Sequence, residues 1–272
     1  MKINCIYPGY MGEVNRFGIG IPCTFIRLSG CNLRCYKPTK GVLCDTPEAL
    51  EMSSGTEMEP GEILSKCSDI GHIVICLTGG EPLLKRPDIP KLITDLIQAN
   101  FLIVVETNGS VSLTNYVPFR KYHSSMGETY VNRISFVVDY KLGSTGETTK
   151  MRPENWELMD EYDFLKFVID DTSDYEQMKE WIFAHPDFSG NISAGLMWGS
   201  KLTYAELMEN LSKDNLSSSV ILNMQAHKMG CMYDTFKNQC SDQGHGGVNC
   251  RTQVRDSAVR KADCGGVAGH WP

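Results

Sequence analysis

The chain has 272 residues, of which 42% are apolar and 22% charged, and its formal net charge is −7. This apolar content excludes a chain that is disordered throughout, and the negative charge argues against a nucleic acid partner. No apolar run approaches the roughly 18 residues that a membrane-spanning helix needs, and the N-terminus lacks the pattern of a signal peptide. We therefore expect a cytoplasmic protein with no membrane partner.

Short apolar runs rich in Val, Ile and Phe alternate with segments of helical period between residues 20 and 225. The runs predict strands, in chain order, at 23–28, 72–77, 102–106, 134–139, 164–169, 191–197 and 220–224. The segments predict helices at 88–99, 174–184 and 202–211, the first with Asp88 as its N-cap. This alternation predicts an α/β fold whose mostly parallel sheet forms a partial, modified barrel of TIM type.

The composition changes near the C-terminus. Residues 234–272 contain several glycines and few large aliphatic side chains, so they cannot bury much apolar area by themselves. We expect a core domain at 1–233 followed by a poorly ordered C-terminal extension at 234–272. Four cysteines near or within this extension, spaced irregularly, leave an auxiliary metal site or reduced thiols as alternatives: Cys231, Cys240, Cys250 and Cys264.

The other cysteines fall into two groups. Four lie within or beside apolar runs and are expected to be buried as small hydrophobic side chains: Cys5, Cys23, Cys67 and Cys76. Cys31, Cys35 and Cys44 instead follow the first predicted barrel strand in one loop, where barrel enzymes place their chemistry. Three thiolates that bind an iron–sulfur cluster leave one iron open for reaction, although zinc or no metal remains an alternative.

Two further motifs follow predicted strands. Thr78-Gly79-Gly80-Glu81-Pro82 combines glycines, which permit close approach of a ligand, with a carboxylate that accepts hydrogen bonds. Glu106-Thr107-Asn108-Gly109 follows the next strand. Each motif alone is also typical of an ordinary turn.

Together, the three-cysteine loop, the Gly-Gly-Glu-Pro motif and the Glu-Thr-Asn-Gly motif resemble the radical S-adenosylmethionine (SAM) superfamily. Gly12-Glu13, the stretch 25–31, Cys44-Asp45-Thr46, the stretch 105–110 and the stretch 224–228 extend the resemblance to the 7-carboxy-7-deazaguanine synthase family. The resemblance implies conversion of 6-carboxy-5,6,7,8-tetrahydropterin to 7-carboxy-7-deazaguanine with release of ammonia. It implies a [4Fe–4S] cluster, SAM and Mg²⁺ as cofactors, a flavodoxin or ferredoxin as electron donor, and a homodimer.

The resemblance also implies roles for individual residues. Cys31, Cys35 and Cys44 would hold the cluster, and Thr46 would coordinate Mg²⁺. The SAM-binding residues would be Leu43, Asp45, Gly79, Gly80, Glu81, Glu106, Asp139, Tyr140 and Lys141, together with the stretch 196–199. The substrate-binding residues would be Met11, Gly12, Glu13, Arg27, Thr78, Gln225 and His227, with Arg27 pairing with the substrate carboxylate.

This chain departs from the family pattern in three places. Eight residues separate Cys35 from Cys44, Met11 replaces a common glutamine, and the chain continues beyond the His227-Lys228 pair. Two alternative functions remain: a radical SAM activase of a glycyl-radical enzyme, and a non-catalytic zinc-binding protein.

Overall fold

The computed structural model describes residues 1–41, 44, 46–84, 87–121 and 132–226. Within these residues one sheet of nine strands is present. The strands are β1 (Lys2–Tyr10), β2 (Pro22–Leu28), β3 (Thr56–Glu57), β4 (Val74–Gly79), β5 (Leu102–Thr107), β6 (Ile134–Tyr140), β7 (Phe164–Ile169), β8 (Asn191–Leu196) and β9 (Val220–Leu222).

Helices connect most of the parallel strands. They are α1 (Lys37–Lys40), α2 (Pro60–Ile70), α3 (Asp88–Gln98), α4 (Glu154–Leu158), α5 (Thr172–Ala184) and α6 (Tyr204–Lys213). The buried side of α3 consists of Ile89, Leu92, Ile93, Leu96 and Ile97, which is the apolar face that the sequence predicts. Asp88 is the first residue of this helix rather than its N-cap, because the helix begins directly after Pro87.

The strand order is β3-β1-β2-β4-β5-β6-β7-β8-β9, and all neighbouring strands from β2 to β9 are parallel. β1 is antiparallel to both β2 and β3. The α/β class and the mostly parallel sheet are thus confirmed. Among the described strands, β3 and β9 do not pair with each other, so no ladder closes the sheet into a barrel.

The sheet is nevertheless curled. Glu13, three residues after β1, forms an ion pair with Lys166 in β7 and a hydrogen bond with Gln225 beyond β9. In a flat sheet with strands about 4.8 Å apart, β1 would lie roughly 34 Å from β9, seven strand spacings away. The amide of Ala226, four residues after β9, bonds to the carbonyl of Gly12, two residues after β1, and six residues span at most about 22 Å, so the sheet must curve.

Side chains alternate between the two faces of the curled sheet. The outer face packs against the helices and carries the main core, which includes Leu77, Ile103 and Phe136. The inner face carries a smaller apolar cluster of Met11, Cys23, Val74, Cys76, Val104 and Val137. Toward the carboxyl ends of the parallel strands the same face becomes polar, at Arg27, Thr78, Glu106 and Asp139. The candidate site lies on this polar part.

The sequence does not predict β1. Pro8 and Gly9 lie inside it, and both residues are depleted in strands. β3 pairs with Lys2 and Ile3 alone, so among the described strands Pro8 has one neighbour, β2. Proline is tolerated at such an edge position, because no second strand needs the backbone N–H that proline lacks. No described helix is long and apolar enough to cross a membrane.

Candidate active site

The three cysteines of the predicted cluster loop differ in burial from the other described cysteines. Cys31, Cys35 and Cys44 are partly exposed, whereas Cys5, Cys23, Cys67 and Cys76 are buried; all seven thiols are free. The buried group agrees with the sequence prediction. The accessible group is the set that the resemblance assigns to the cluster.

Backbone amides point at two of these sulfurs. The amide of Leu33 donates to Sγ of Cys31 at 3.4 Å, and the amide of Thr46 donates to Sγ of Cys44 at 3.4 Å. Burial raises the pKa of Cys31, and the hydrogen bond from Leu33 opposes that shift. Such bonds to sulfur tune iron–sulfur clusters. In the described part of the chain no three His, Cys, Asp or Glu side chains converge tightly enough to hold a single metal ion. Three accessible thiols in one loop are the donor chemistry that an iron–sulfur cluster takes, and their assignment to a cluster stays a prediction. Leu43 and Asp45 lie outside the described residues.

The insert between Cys35 and Cys44 contacts the loops that follow β6 and β7. The amide of Tyr36 donates to the carbonyl of Thr145 at 2.8 Å, and Lys40 forms an ion pair with Asp170, which follows β7 and is buried. Just before the insert, the amide of Arg34 donates to Glu147 at 2.6 Å. The insert is therefore anchored to the loops after β6 and β7.

Glu81 of the Gly-Gly-Glu-Pro motif is fully buried. Its carboxylate accepts from the amides of Leu83 and Asn108, at 2.9 and 2.7 Å, and from the hydroxyl of Thr107 at 2.8 Å. Burial raises the pKa of Glu81, and these hydrogen bonds oppose the shift. The carboxylate therefore joins the loop after β4 to the loop after β5, and its assignment to SAM stays a prediction.

The second loop contacts the cysteine loop in turn. Nδ2 of Asn108 donates to Sγ of Cys31 at 3.6 Å and to Oδ1 of Asn32 at 3.1 Å. The three motifs that the sequence singles out after three strands therefore meet at one edge of the sheet.

Gly79 and Gly80 are required by contacts within the protein. A Cβ on Gly79, whose φ is 141°, would lie 2.2 Å from the carbonyl oxygen of Leu28, and a Cβ on Gly80 would lie 2.4 Å from that of Gly30. The sequence argument attributes these glycines to close approach of a ligand. The structure shows that the end of β4 and the cysteine loop already require them.

A chain of charged groups occupies the inner face. Lys166 of β7 forms ion pairs with Glu13 and, at 2.9 Å, with Asp139 of β6, whose other carboxylate oxygen lies 2.5 Å from Lys141. Burial raises the pKa of Asp139, but the two ammonium groups outweigh it and the net pKa is lowered. Burial lowers the pKa of Lys141, but the Asp139 carboxylate outweighs it and the net pKa is raised.

Glu106 lies next to this chain. Its Oε2 accepts from the hydroxyl of Thr78 at 2.9 Å. Burial raises the pKa of Glu106 and the Glu13 carboxylate raises it further, whereas Lys166 lowers it. The predicted residues Glu13, Glu106, Asp139, Lys141 and Thr78 thus share one electrostatic environment.

The segments after β1 and after β9 also meet, as their joint assignment to the substrate implies. Nε2 of Gln225 donates to Glu13 at 2.9 Å, and the amide of Ala226 donates to the carbonyl of Gly12 at 2.7 Å. Gln225 has a φ of 43°, an uncommon value for a residue other than glycine. His227 lies outside the described residues.

Arg27 is close to Tyr7, with 3.2 Å between the guanidinium and the phenol oxygen. The arginine ion pairs among the described residues are those of Arg34, Arg120 and Arg152, so Arg27 has no carboxylate within ion-pair distance there. Burial lowers the pKa of Arg27, but Tyr7, Cys5 and Glu48 outweigh it and raise the pKa above the usual value. The guanidinium therefore retains donors for an anionic ligand.

Two predicted site residues, Tyr140 and Met11, lie outside the polar part of the inner face. The ring of Tyr140 lies on the outer face with Phe167 and Trp156, at centroid distances of 5.1 and 5.6 Å. Met11 is 1% exposed and belongs to the inner apolar cluster. Thr46 precedes a short 3₁₀ helix, Pro47–Ala49, beside Cys44.

The stretch 196–199 after β8 lines a cavity of about 250 Å³ together with Met224 and Gln225, and its Trp198 is 70% exposed.

Sequence reasoning missed Lys166 and Asp170. A signal for Lys166 exists, since it is the charged residue in the apolar run Phe164–Ile169. Because successive side chains of a strand point to opposite faces, Lys166 lies on the polar inner face.

No protein-family model matches the chain. A 7-carboxy-7-deazaguanine synthase from Leptospira interrogans is 32% identical over 244 residues, which cover 84% of this chain and 94% of the relative. The enzyme of the same name from Clostridium acetobutylicum is 32% identical over 75% of this chain and 85% of its own.

The crystal structure of QueE from Escherichia coli has a similar fold, with a TM-score of 0.58 and 20% identity, over 83% of this chain and 94% of that one. At such low identity this likeness supports the fold alone, whereas the two sequence relatives match nearly their whole length. The chain therefore belongs to the 7-carboxy-7-deazaguanine synthase family.

Proposed function

We propose that this chain is a radical SAM lyase that converts 6-carboxy-5,6,7,8-tetrahydropterin to 7-carboxy-7-deazaguanine with release of ammonia, in 7-deazapurine biosynthesis. The relatives favour this activity over the glycyl-radical activase that the Cys31–Cys35 motif leaves open. The structural observation that carries the proposal is the meeting of the cysteine loop, Glu81 and Asn108 beside a polar inner face.

The cofactors are assigned to the residues present. Cys31, Cys35 and Cys44 would hold a [4Fe–4S] cluster, which together with SAM would supply the radical chemistry of the reaction. Asp139, Lys141 and the stretch 196–199 bind SAM, and the backbone beside Gly80 faces its methionine end. Thr46 provides a hard oxygen ligand for Mg²⁺.

The substrate is bound through complementary charges. Arg27, a guanidinium without a described carboxylate partner, pairs with the substrate carboxylate, since its planar fork suits two oxygens. Glu13, which contacts Lys166 and Gln225, accepts from the guanidine-like edge of the pterin. A partial barrel, a homodimer, a flavodoxin or ferredoxin donor and a cytoplasmic location complete the proposal.

The test is anaerobic reconstitution followed by a product assay. With iron, sulfide, SAM, a reductant and the tetrahydropterin, the full chain should form 7-carboxy-7-deazaguanine, detected by mass spectrometry. Iron analysis should give about four atoms per chain, as one [4Fe–4S] cluster requires. A protein that holds this iron and cleaves SAM but yields no product would contradict the proposed substrate, and a colourless zinc protein would contradict the whole assignment.

A further inference from the structure

Lys166 is buried in the middle of an apolar strand. It is 6% exposed, and both its neighbours in β7, Leu165 and Phe167, pack in the outer core. An ammonium group is almost never buried without partners, because its desolvation costs several kcal/mol. Its position therefore depends on the groups that it contacts on the inner face.

Those groups are two carboxylates from different parts of the fold. Glu13 comes from the segment after β1, and Asp139 comes from the end of β6. Each has a second partner of its own, Gln225 for Glu13 and Lys141 for Asp139. In the described ranges, Lys166 is the side chain that bonds to both carboxylates.

The two carboxylates serve different ligands under the proposed function, on which this inference rests. Glu13 faces the pterin, and Asp139 faces SAM. We propose that Lys166 is a positioning residue that couples the two binding sites, by holding the substrate-side carboxylate and the SAM-side carboxylate on a single ammonium group.

A shared ammonium makes the two ligands interdependent. Bound SAM would fix the orientation of Asp139 and of Lys166, and Lys166 would then hold Glu13 in the orientation that accepts the pterin. By thermodynamic reciprocity, the pterin must raise the affinity for SAM by the same factor. The coupling should lie in the usual range for linked sites, from about 5-fold to about 150-fold.

The experiment measures the coupling itself. The dissociation constant of SAM is determined by calorimetry on the cluster-loaded enzyme, with and without saturating pterin and without reductant, so that no turnover occurs. The wild type should bind SAM at least about 5-fold more tightly with pterin present. In Lys166→Met, which keeps the length of the side chain but removes the charge, the ratio should fall to about 1, and the KM for pterin should rise.

Two further variants separate positioning from general stability. Lys91→Met removes an ammonium from an exposed ion pair with Asp95 on α3 and should keep the full coupling. Lys166→Gln is the fallback if Lys166→Met does not fold, because its amide can still donate hydrogen bonds but is shorter than lysine and carries no charge to form ion pairs with both carboxylates; it too should lose the coupling.

The outcomes are distinguishable. A wild type that makes product but shows no coupling, or a folded Lys166 variant with undiminished coupling, would overturn this inference and leave the proposed function intact. A wild type that binds neither ligand would overturn both.

Discussion

The carboxylate of Glu81 accepts a hydrogen bond from the backbone amide of Asn108 at 2.7 Å, and this bond joins the loops that follow two adjacent parallel strands. Glu81 follows β4 and Asn108 follows β5, and Asn108 in turn contacts the sulfur of Cys31. A residue that the sequence assigns to the cofactor thus also orders the loop next to the cluster ligands.

Replacement of this carboxylate should destabilise the fold. Glu81→Gln places an amide group where Glu81 accepts three hydrogen bonds, so at least one buried donor loses its acceptor, at a cost of about 1–3 kcal/mol. Chemical denaturation of the metal-free protein measures this loss. Glu180→Gln, on the exposed side of α5, is the matched control and should change the free energy of unfolding by less than about 0.5 kcal/mol. Equal stabilities for the two variants would mean that the Glu81 hydrogen bonds contribute nothing.

Gly80→Ala should disturb the cysteine loop. The added Cβ would lie 2.4 Å from the carbonyl oxygen of Gly30 and 2.6 Å from that of Ala49, and neither backbone atom can move without moving the loop. We expect lower stability and iron loading well below that of the wild type. Gly61→Ala on α2 is the control, since its Cβ meets nothing within 4 Å and alanine favours a helix by about 0.5–1 kcal/mol. Full iron loading in Gly80→Ala would contradict the close approach.

Arg27→Lys should raise the KM for the pterin substrate by about 10-fold or more, because a point charge replaces a bidentate fork worth about 1–2 kcal/mol more. Iron content and SAM affinity should not change. Tyr7→Phe removes the hydroxyl near the guanidinium but keeps the ring stacked on Phe25, at a centroid distance of 5.0 Å, so its effect on KM should be smaller. If both variants have wild-type kinetics, Arg27 does not bind the substrate.

The cysteine assignment is tested by iron analysis. Cys31→Ala, Cys35→Ala or Cys44→Ala should each abolish the cluster and SAM cleavage, since two protein ligands remain to hold it. Cys23→Ala and Cys76→Ala, in the inner apolar cluster, should retain the iron. Cys44→Ala with full iron and activity would show that the third ligand is misplaced.

The ion pair between Lys40 and Asp170 should hold the insert in place. Lys40→Met leaves the buried Asp170 carboxylate without its ammonium partner, so we expect the cluster to lose iron faster to a chelator. Exchange of the two charges in Lys40→Asp/Asp170→Lys should restore part of the wild-type rate. A rate in Lys40→Met equal to that of the wild type would show that the insert does not protect the cluster.

Local patterns in the sequence determined much of the architecture. The strand predicted at 164–169 coincides with β7, and the apolar face of α3 is the predicted one, because side-chain period directly reflects local backbone geometry. The cysteine loop and the two motifs that follow strands were also found, since in parallel strands such loops necessarily share one edge of the sheet. The family resemblance, based on short contiguous motifs, agrees with the relatives.

Only the tertiary structure decided which groups those motifs contact. β1 contains Pro8 and is a strand because its neighbours allow it, and Gly80 is needed because Gly30 and Ala49 approach it. Lys166 meets Glu13 across 153 residues of chain, a contact that no local period encodes. Buried charges depend on partners brought together by the curl of the sheet, and this is the physical reason why the sequence located the site but not its network of contacts.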